Sequence, residues 1–143
     1  MKIIVAPDSF KGSLTAIEAA EAMKQGIHDC DPSIETVLLP AADGGEGTTR
    51  SLVEATNGKI VKVFVKDALE RKIEASYGIL GDGETCVIEI AEASGLMTLK
   101  KEERDPLTAS SYGTGELILH ALDAGLHNFI IGLGGSATND GGA

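Results

Sequence analysis

Tryptophan is absent from this chain, and aromatic residues make up only 3% of it. Its core must therefore be aliphatic, built from Ile, Val, Leu and Ala, as in α/β proteins. Cysteine is scarce too: Cys30 and Cys86 form no CxxC and have no clustered histidine. That excludes a disulfide framework and a thiolate zinc site, and leaves two reduced thiols as the expectation. The histidines, His28, His120 and His127, are scattered without metal-ligand spacing and are expected to be structural or at the surface. No apolar run approaches the roughly 18 residues of a membrane span. The start, Met1-Lys2-Ile3-Ile4-Val5-Ala6-Pro7-Asp8, lacks the apolar length of a signal peptide, so cytoplasm is the expected compartment. Basic residues are the last shortage, with 12 Lys and Arg against 22 Asp and Glu and a formal net charge of −10. Such a balance argues against binding nucleic acid or an anionic membrane. It also means that an anionic ligand needs local cations, from lysine or a divalent metal.

What is abundant is glycine, 18 of 143 residues, gathered in loops. With 43% hydrophobic and 24% charged residues, the composition is that of a folded chain with one ordinary core. Residues 2–6 form a β-branched run ended by Pro7, a buried first strand. Thr15-Ala16-Ile17-Glu18 matches a capping box that opens a helix to about Cys30, with Pro32 marking its end. Residues 36–39 read as a second strand stopped by Pro40. A glycine-rich loop and a helix through about Thr56 follow, with Asn57-Gly58 as terminator. This order favours parallel strands joined by crossover helices.

The pattern then changes. Ile60, Lys62 and Phe64 alternate with Val61, Val63 and Val65, and residues 72–79 alternate more clearly. Gly81-Asp82-Gly83 is a tight turn before another strand over residues 85–90, so these three strands predict an antiparallel meander. The change near residues 65–67 suggests a second subdomain. Residues 91–96 read as a short helix, 100–105 as a solvated charged stretch, and 116–124 as a helix with Gly125 as its C-cap. Residues 128–133 are a last apolar strand.

Loops at the carboxyl ends of parallel strands are where open α/β sheets bind ligands. The first such loop carries Asp8, Ser9 and Lys11; Lys11 could neutralise a phosphate while Asp8 orients a hydroxyl or a metal, and the alternative is a solvated ion pair. The second, Asp43-Gly44-Gly45-Glu46-Gly47-Thr48, sets two carboxylates that suit Mg²⁺ among glycines that admit a close approach. Its simpler reading is a helix start, with Asp43 as cap and Glu46 in the first turn. The third places Ser136, Thr138, Asn139 and Asp140 between Gly134-Gly135 and Gly141-Gly142, directly after a buried strand. Small residues there let backbone N–H groups approach an anion. It matches neither G-x-x-x-x-G-K-[ST] nor G-x-G-x-x-G, and no G-x-S-x-G elbow is present. The hydroxyls of residues 110–115 are a weaker fourth candidate for ligand binding, with simple helix caps as the alternative. Glu89 and Glu92, near a strand end, could line a cleft, and the alternative is that they are exposed surface residues.

These residues carry a resemblance. Ala6-Pro7-Asp8-Ser9-Phe10-Lys11-Gly12-Ser13, Asp43-Gly44-Gly45-Glu46-Gly47-Thr48, Glu92-Ala93-Ser94-Gly95-Leu96, Ser111-Tyr112-Gly113-Thr114-Gly115-Glu116 and residues 134–142 resemble, in order, the signature blocks of bacterial glycerate kinases. The resemblance implies ATP- and Mg²⁺-dependent phosphorylation of D-glycerate, usually to 2-phosphoglycerate. It implies an α/β fold: a Rossmann-like parallel β-α-β-α start over residues 1–66, followed over 67–143 by a mixed or antiparallel inserted α/β subdomain, truncated here. Asp8, Lys11 and Asp43 are then the expected catalytic residues. Ser9, Gly44, Gly45, Glu46, Thr48, Gly134, Gly135, Ser136, Thr138, Asn139 and Asp140 are expected to bind glycerate or nucleotide. Asp43 and Glu46 are the expected Mg²⁺ ligands, and the general base stays open among Asp8, Asp43, Glu46 and a residue in the part of the family's chain beyond residue 143. Because the resemblance covers less than half of a family member, impaired activity is expected, with a second copy or a complementing C-terminal fragment as partner. The alternative is a noncatalytic nucleotide- or anion-binding fragment.

Overall fold

A parallel β-α-β unit opens the chain: β1 (Lys2–Val5), α1 (Ala16–Cys30) and β2 (Glu35–Leu38). The computed structural model describes residues 1–10, 13–41 and 43–142. Chain contacts divide these between two units, Met1–Asp43 and Gly44–Ala143. In the first, β1 and β2 run parallel from Lys2 opposite Glu35 to Val5 opposite Leu38. The capping box forms as read: the Glu18 N–H donates to Thr15 Oγ1 at 3.2 Å, and the Thr15 N–H donates to Glu18 Oε2 at 2.8 Å. Such a cap stabilises a helix by about 1 kcal/mol. At the other end the Asp31 N–H closes on the Ile27 carbonyl just before Pro32. Among the described residues, only Val5, Ala19 and Ala20 are buried hydrophobics of this unit, while Ile4 and Leu39 are 61% and 54% exposed.

The second unit contains α2 (Thr48–Thr56), β3 (Lys59–Lys66), β4 (Lys72–Ile79), β5 (Thr85–Glu89), α3 (Ile90–Ser94), α4 (Tyr112–Asp123) and β6 (Asn128–Gly132). Its sheet has the order β3-β4-β5-β6. The first three strands are the expected antiparallel meander, and β6 adds to β5 in parallel. The mixed α/β class expected from the sequence is the class observed. Although β3 lies before the change of pattern near residue 66, it pairs with β4 from Lys59 to Lys66 and so belongs to this sheet. No helix among the described residues is long and apolar enough to cross a membrane.

Side chains of a strand alternate between faces, which places the helices. Ala75, Tyr77, Ile79, Cys86 and Ile88 share one core with Leu117 and Ala121 of α4. Gly78 belongs to the other face, where a Cβ would lie 2.5 Å from Val53 and 2.9 Å from Thr49 of α2. Thus α2 and α4 cover opposite faces of the sheet, and Val87 and Glu89 share the α2 side by parity with Gly78's neighbour in the ladder. The β3–β4 turn is organised by Asp67, whose carboxylate accepts from the Leu69 and Arg71 N–H groups and from Arg71 Nε at 2.6 Å. Burial would raise the Asp67 pKa, but the Arg71 and Leu69 donors prevail and hold it below the ordinary value. Arg71 continues to Glu103 at 2.8 Å, so the stretch expected to be merely solvated is tied to the turn.

Helix α4 begins at Tyr112, earlier than the expected start at residue 116. Gly113 and Gly115 disguise its first turn, because glycine is a poor helix former. Gly113 is there for contact: a Cβ would sit 1.7 Å from the carbonyl oxygen of Lys66 in β3. Gly115 has nothing within 4 Å of its Cβ position. The two helical glycines should therefore respond oppositely in urea unfolding. Gly113→Ala is expected to lose about 1–3 kcal/mol or more from overpacking, and Gly115→Ala to gain up to about 1 kcal/mol from propensity. Equal effects would contradict the tight helix–strand approach.

Candidate functional site

Glu89 and Gly132 stand opposite each other at the carboxyl ends of the parallel strands β5 and β6. Directly beyond Gly132 the 134–142 loop meets the 44–48 loop, backbone against backbone. The Gly134 N–H donates to the Gly44 carbonyl at 2.9 Å. A Cβ on Gly134 would lie 2.6 Å from Gly45 Cα, and one on Gly132 would lie 2.4 Å from Gly44 O. Gly44 itself holds a φ of 84°, which side-chain-bearing residues rarely adopt. The approach of one loop to the other thus explains Gly44, Gly132 and Gly134, whereas Gly47, Gly141 and Gly142 have open space at the Cβ position and serve a positive φ instead. Thr48 is buried, and its Oγ1 accepts from the Gly44 N–H at 3.1 Å, closing the 44–48 turn on itself.

The 134–142 loop is a built structure rather than a linker. The Gly135 carbonyl accepts from the Leu96 N–H, and the Ala137 N–H donates to the Ser94 carbonyl, both at 2.8 Å. Ser136 Oγ accepts from the Thr138 N–H at 3.0 Å. Asp140 turns back to the start of α4, accepting from the Ser111 N–H at 2.7 Å and from the Ser111 hydroxyl at 3.2 Å. The Ser111 amide, with lesser help from the Gly142 N–H and the Ser111 hydroxyl, holds the Asp140 carboxyl below its ordinary pKa. Ser111, for which a simple cap is the alternative reading, makes no side-chain cap hydrogen bond and donates to Asp140 instead. A cavity of about 910 Å³ lies between this loop and the start of α4. Ser136, Thr138, Asn139 and Asp140 line it beside Thr114 and Glu116, with Ile90, Ile131 and Leu133 as its apolar part.

Glu89 is only 2% exposed. Gly47, the N-cap of α2, has a φ of 89° and no side chain with which to cap. Glu89 supplies the missing acceptor: one carboxylate oxygen takes the Gly47 N–H at 3.2 Å, the other the Thr49 N–H at 2.5 Å. Burial raises its pKa, partly offset by those donors. Glu92 is half-buried and accepts from both the N–H and the hydroxyl of Ser76. Sequence reasoning noticed Glu89 as a carboxylate at the end of an apolar strand, but nothing local connects it with a helix some forty residues earlier.

The structure therefore brings together Gly44, Gly45 and Thr48 with Gly134, ties Gly135 to Leu96, and places Ser136, Thr138 and Asp140 around the adjacent cavity. Glu46 and Asn139 are exposed. Asp8 and Ser9 lie in the first unit, where the Ser9 N–H donates to Asp8 Oδ1 at 2.6 Å. Lys11 lies outside the described residues. Asp43 is exposed and does not cap α2, whose N-cap is Gly47. No group of three or more His, Cys, Asp or Glu suited to a metal ion occurs among the described residues. Cys86 is buried, its thiol pushed up to about 11, which makes it inert.

Glycine-rich loops at the carboxyl ends of parallel strands occupy the position where open α/β sheets generally bind ligands. Residues 3–143 match the Glycerate kinase family, to which the chain belongs. It is 56% identical over 143 residues to a glycerate kinase of Bacillus subtilis (strain 168), covering 100% of this chain and 37% of that protein. To a glycerate 2-kinase of Escherichia coli (strain K12) it is 53% identical, covering 100% of this chain and 38% of the relative. A crystal structure of a protein assigned as glycerate kinase 2 from Salmonella typhimurium LT2 matches with a TM-score of 0.75 and 54% identity. That match covers 99% of this chain and 38% of the other. The chain thus spans little more than a third of the length of these relatives.

Two outcomes test the site's construction. Gly134→Ala must push the loops apart, and is expected to lower the urea midpoint by the equivalent of about 1–3 kcal/mol; an unchanged midpoint would mean that the loops have room. The pH dependence of Glu89 has a definite sign. Its folded pKa lies above the unfolded one, so its ionisation costs stability as pH rises through the folded value, and that cost is absent below the unfolded value. As pH rises above the ordinary glutamate value of about 4.5, the stability difference between wild type and Glu89→Gln should shift in the variant's favour. A flat difference would contradict the raised pKa.

Proposed function

We propose that this chain carries part of the site of an enzyme that phosphorylates D-glycerate from ATP, with 2-phosphoglycerate as product. The supporting observation is the junction of the 44–48 and 134–142 loops beside a cavity of about 910 Å³ in a member of the glycerate kinase family. Phosphoryl transfer asks a protein mainly for positioning and for stabilising charge on the transferred group. In this reading the 134–142 loop, with Gly134, Gly135, Ser136, Thr138, Asn139 and Asp140, forms a wall for the nucleotide. Ser9, Gly44, Gly45, Glu46 and Thr48 contribute to substrate binding. The charged residues lining the cavity, Glu116 and Asp140, are both acidic, so phosphates there need cations.

Lys11 would supply one of those cations. Asp43 and Glu46, two exposed carboxylates on one loop, fit a Mg²⁺ ion that keeps several waters and shares phosphate oxygens. When bound, Mg²⁺ would neutralise charge between the phosphates. Asp8, Asp43 or Glu46 would accept the proton from the glycerate hydroxyl. The assignment of residues 1–66 to a Rossmann-like domain and of 67–143 to an inserted one is proposed with this reading, as is a cytoplasmic location. A two-stranded sheet is marginal in water, and the first unit leaves Ile4 and Leu39 open. We therefore propose that a longer chain, a complementing fragment or a second copy covers it, and that the 143 residues alone turn over poorly. The alternative, a noncatalytic nucleotide- or anion-binding fragment, predicts binding of Mg·ATP without product.

The test is phosphoglycerate formation, followed by ³¹P NMR with ATP, Mg²⁺ and D-glycerate, in a full-length protein containing this segment. Lys11→Ala in that protein is expected to lower kcat by about 10²–10³ with an unchanged unfolding midpoint. Wild-type turnover in the variant would remove Lys11 from the mechanism, and absence of product from wild type would overturn the assignment.

A further inference from the structure

We propose that Glu89 is a positioning residue of the phosphoryl-transfer site: its carboxylate fills the anion position at the N-terminus of α2 and fixes the 44–48 loop, so substrate phosphate is not bound by those amides. The inference rests on the function proposed above for this loop. A glycine-rich turn entering a helix usually invites a phosphate, because the first helical N–H groups lack partners and the dipole favours negative charge. Here the Gly47 and Thr49 amides are already taken by one buried carboxylate. A phosphate could reach them only by expelling Glu89, since two anions cannot share such a buried position.

Glu89 is well placed to hold rather than to react. It closes β5, and its partner in the parallel ladder is Gly132, two residues before the Gly134 that bonds Gly44. The loop is consequently gripped at both ends by the ends of adjacent strands: Gly44 through its carbonyl by Gly134, and Gly47 and Thr49 through their N–H groups by Glu89. Glu46 lies between the two anchors and is exposed. Substrate or metal would then meet this loop at its exposed carboxylate, on a backbone whose conformation is set before binding. Preset geometry of this kind matters because small misplacements cost large factors in rate.

Glu89→Ala and Glu89→Gln in the full-length protein test this, with amide exchange by NMR, steady-state kinetics and titration with inorganic phosphate as readouts. Loss of the carboxylate should speed exchange at Gly47 and Thr49 by about tenfold or more, as expected for losing a charge-assisted hydrogen bond, while Val63 and Ala75 in the β3–β4 ladder stay protected. It should lower kcat/KM by about 10- to 100-fold, and Gln, which retains one acceptor oxygen, should recover part of both effects. Inorganic phosphate should leave the wild-type Gly47 and Thr49 resonances unmoved. Unchanged exchange at the two amides, an equal rise across the whole sheet, or phosphate-induced shifts at Gly47 and Thr49 would each overturn the proposal. If Glu89→Ala does not fold, exchange in Glu89→Gln decides by the same criteria. If wild type makes no phosphoglycerate, the function fails, while exchange still decides whether Glu89 holds the loop.

Discussion

The hydrogen bond from the Gly134 N–H to the Gly44 carbonyl can form only because no side chain stands between the two backbones. Around it the second unit is organised. Gly132 must end β6 without a Cβ, and Gly44 must adopt a positive φ so that its carbonyl faces the other loop. The glycines thus give up conformational freedom in exchange for a contact that any larger residue would forbid. Gly44, Gly132 and Gly134 join two loops into one surface, and in the proposed reading it is that surface, rather than either loop, that meets the ligand.

A second regularity concerns how helices begin. Helix α1 is capped locally, by Thr15 and Glu18 three residues apart, and its start was readable from four consecutive letters. Helices α2 and α4 lack side-chain caps of their own. Each receives a carboxylate from a distant segment: Glu89 from the end of β5, and Asp140 from the loop after β6. Both acids approach from the same pair of adjacent strand ends. Tertiary capping of this kind couples helix position to loop position, which a local cap cannot do.

The split between local and tertiary determinants explains what the sequence revealed. The strand alternation of residues 60–65 and 72–79, the Asn57 terminator and the tight turn at Asp82 were all legible, because period and turn chemistry act over a few residues. The order of β3, β4 and β5 followed from their short connections. By contrast, the start of α4 was obscured by Gly113, whose presence is explained by the Lys66 carbonyl on another strand. The glycine loops were correctly marked as unusual, yet their mutual contact was not visible, since it joins residues 90 positions apart only after β5 and β6 pair. Glu89 was legible as a strand-end carboxylate that could line a cleft, but its burial and its role require knowing what lies above the sheet.

The electrostatics of the proposed site follow from these caps. With the α2 and α4 N-termini each engaged by a protein carboxylate, the helix dipoles are answered from within, and little backbone positive potential is left there for a substrate. The chain as a whole carries a formal charge of −10. A triphosphate and a carboxylic acid entering such surroundings would meet acids at Glu116 and Asp140, so their stabilisation must come from mobile or side-chain cations. In the proposed reading this is why Lys11 and a metal held by Asp43 and Glu46 are needed together. It also separates this design from phosphate loops that bind through helix-terminal amides: the helix ends set geometry, and the cations set charge.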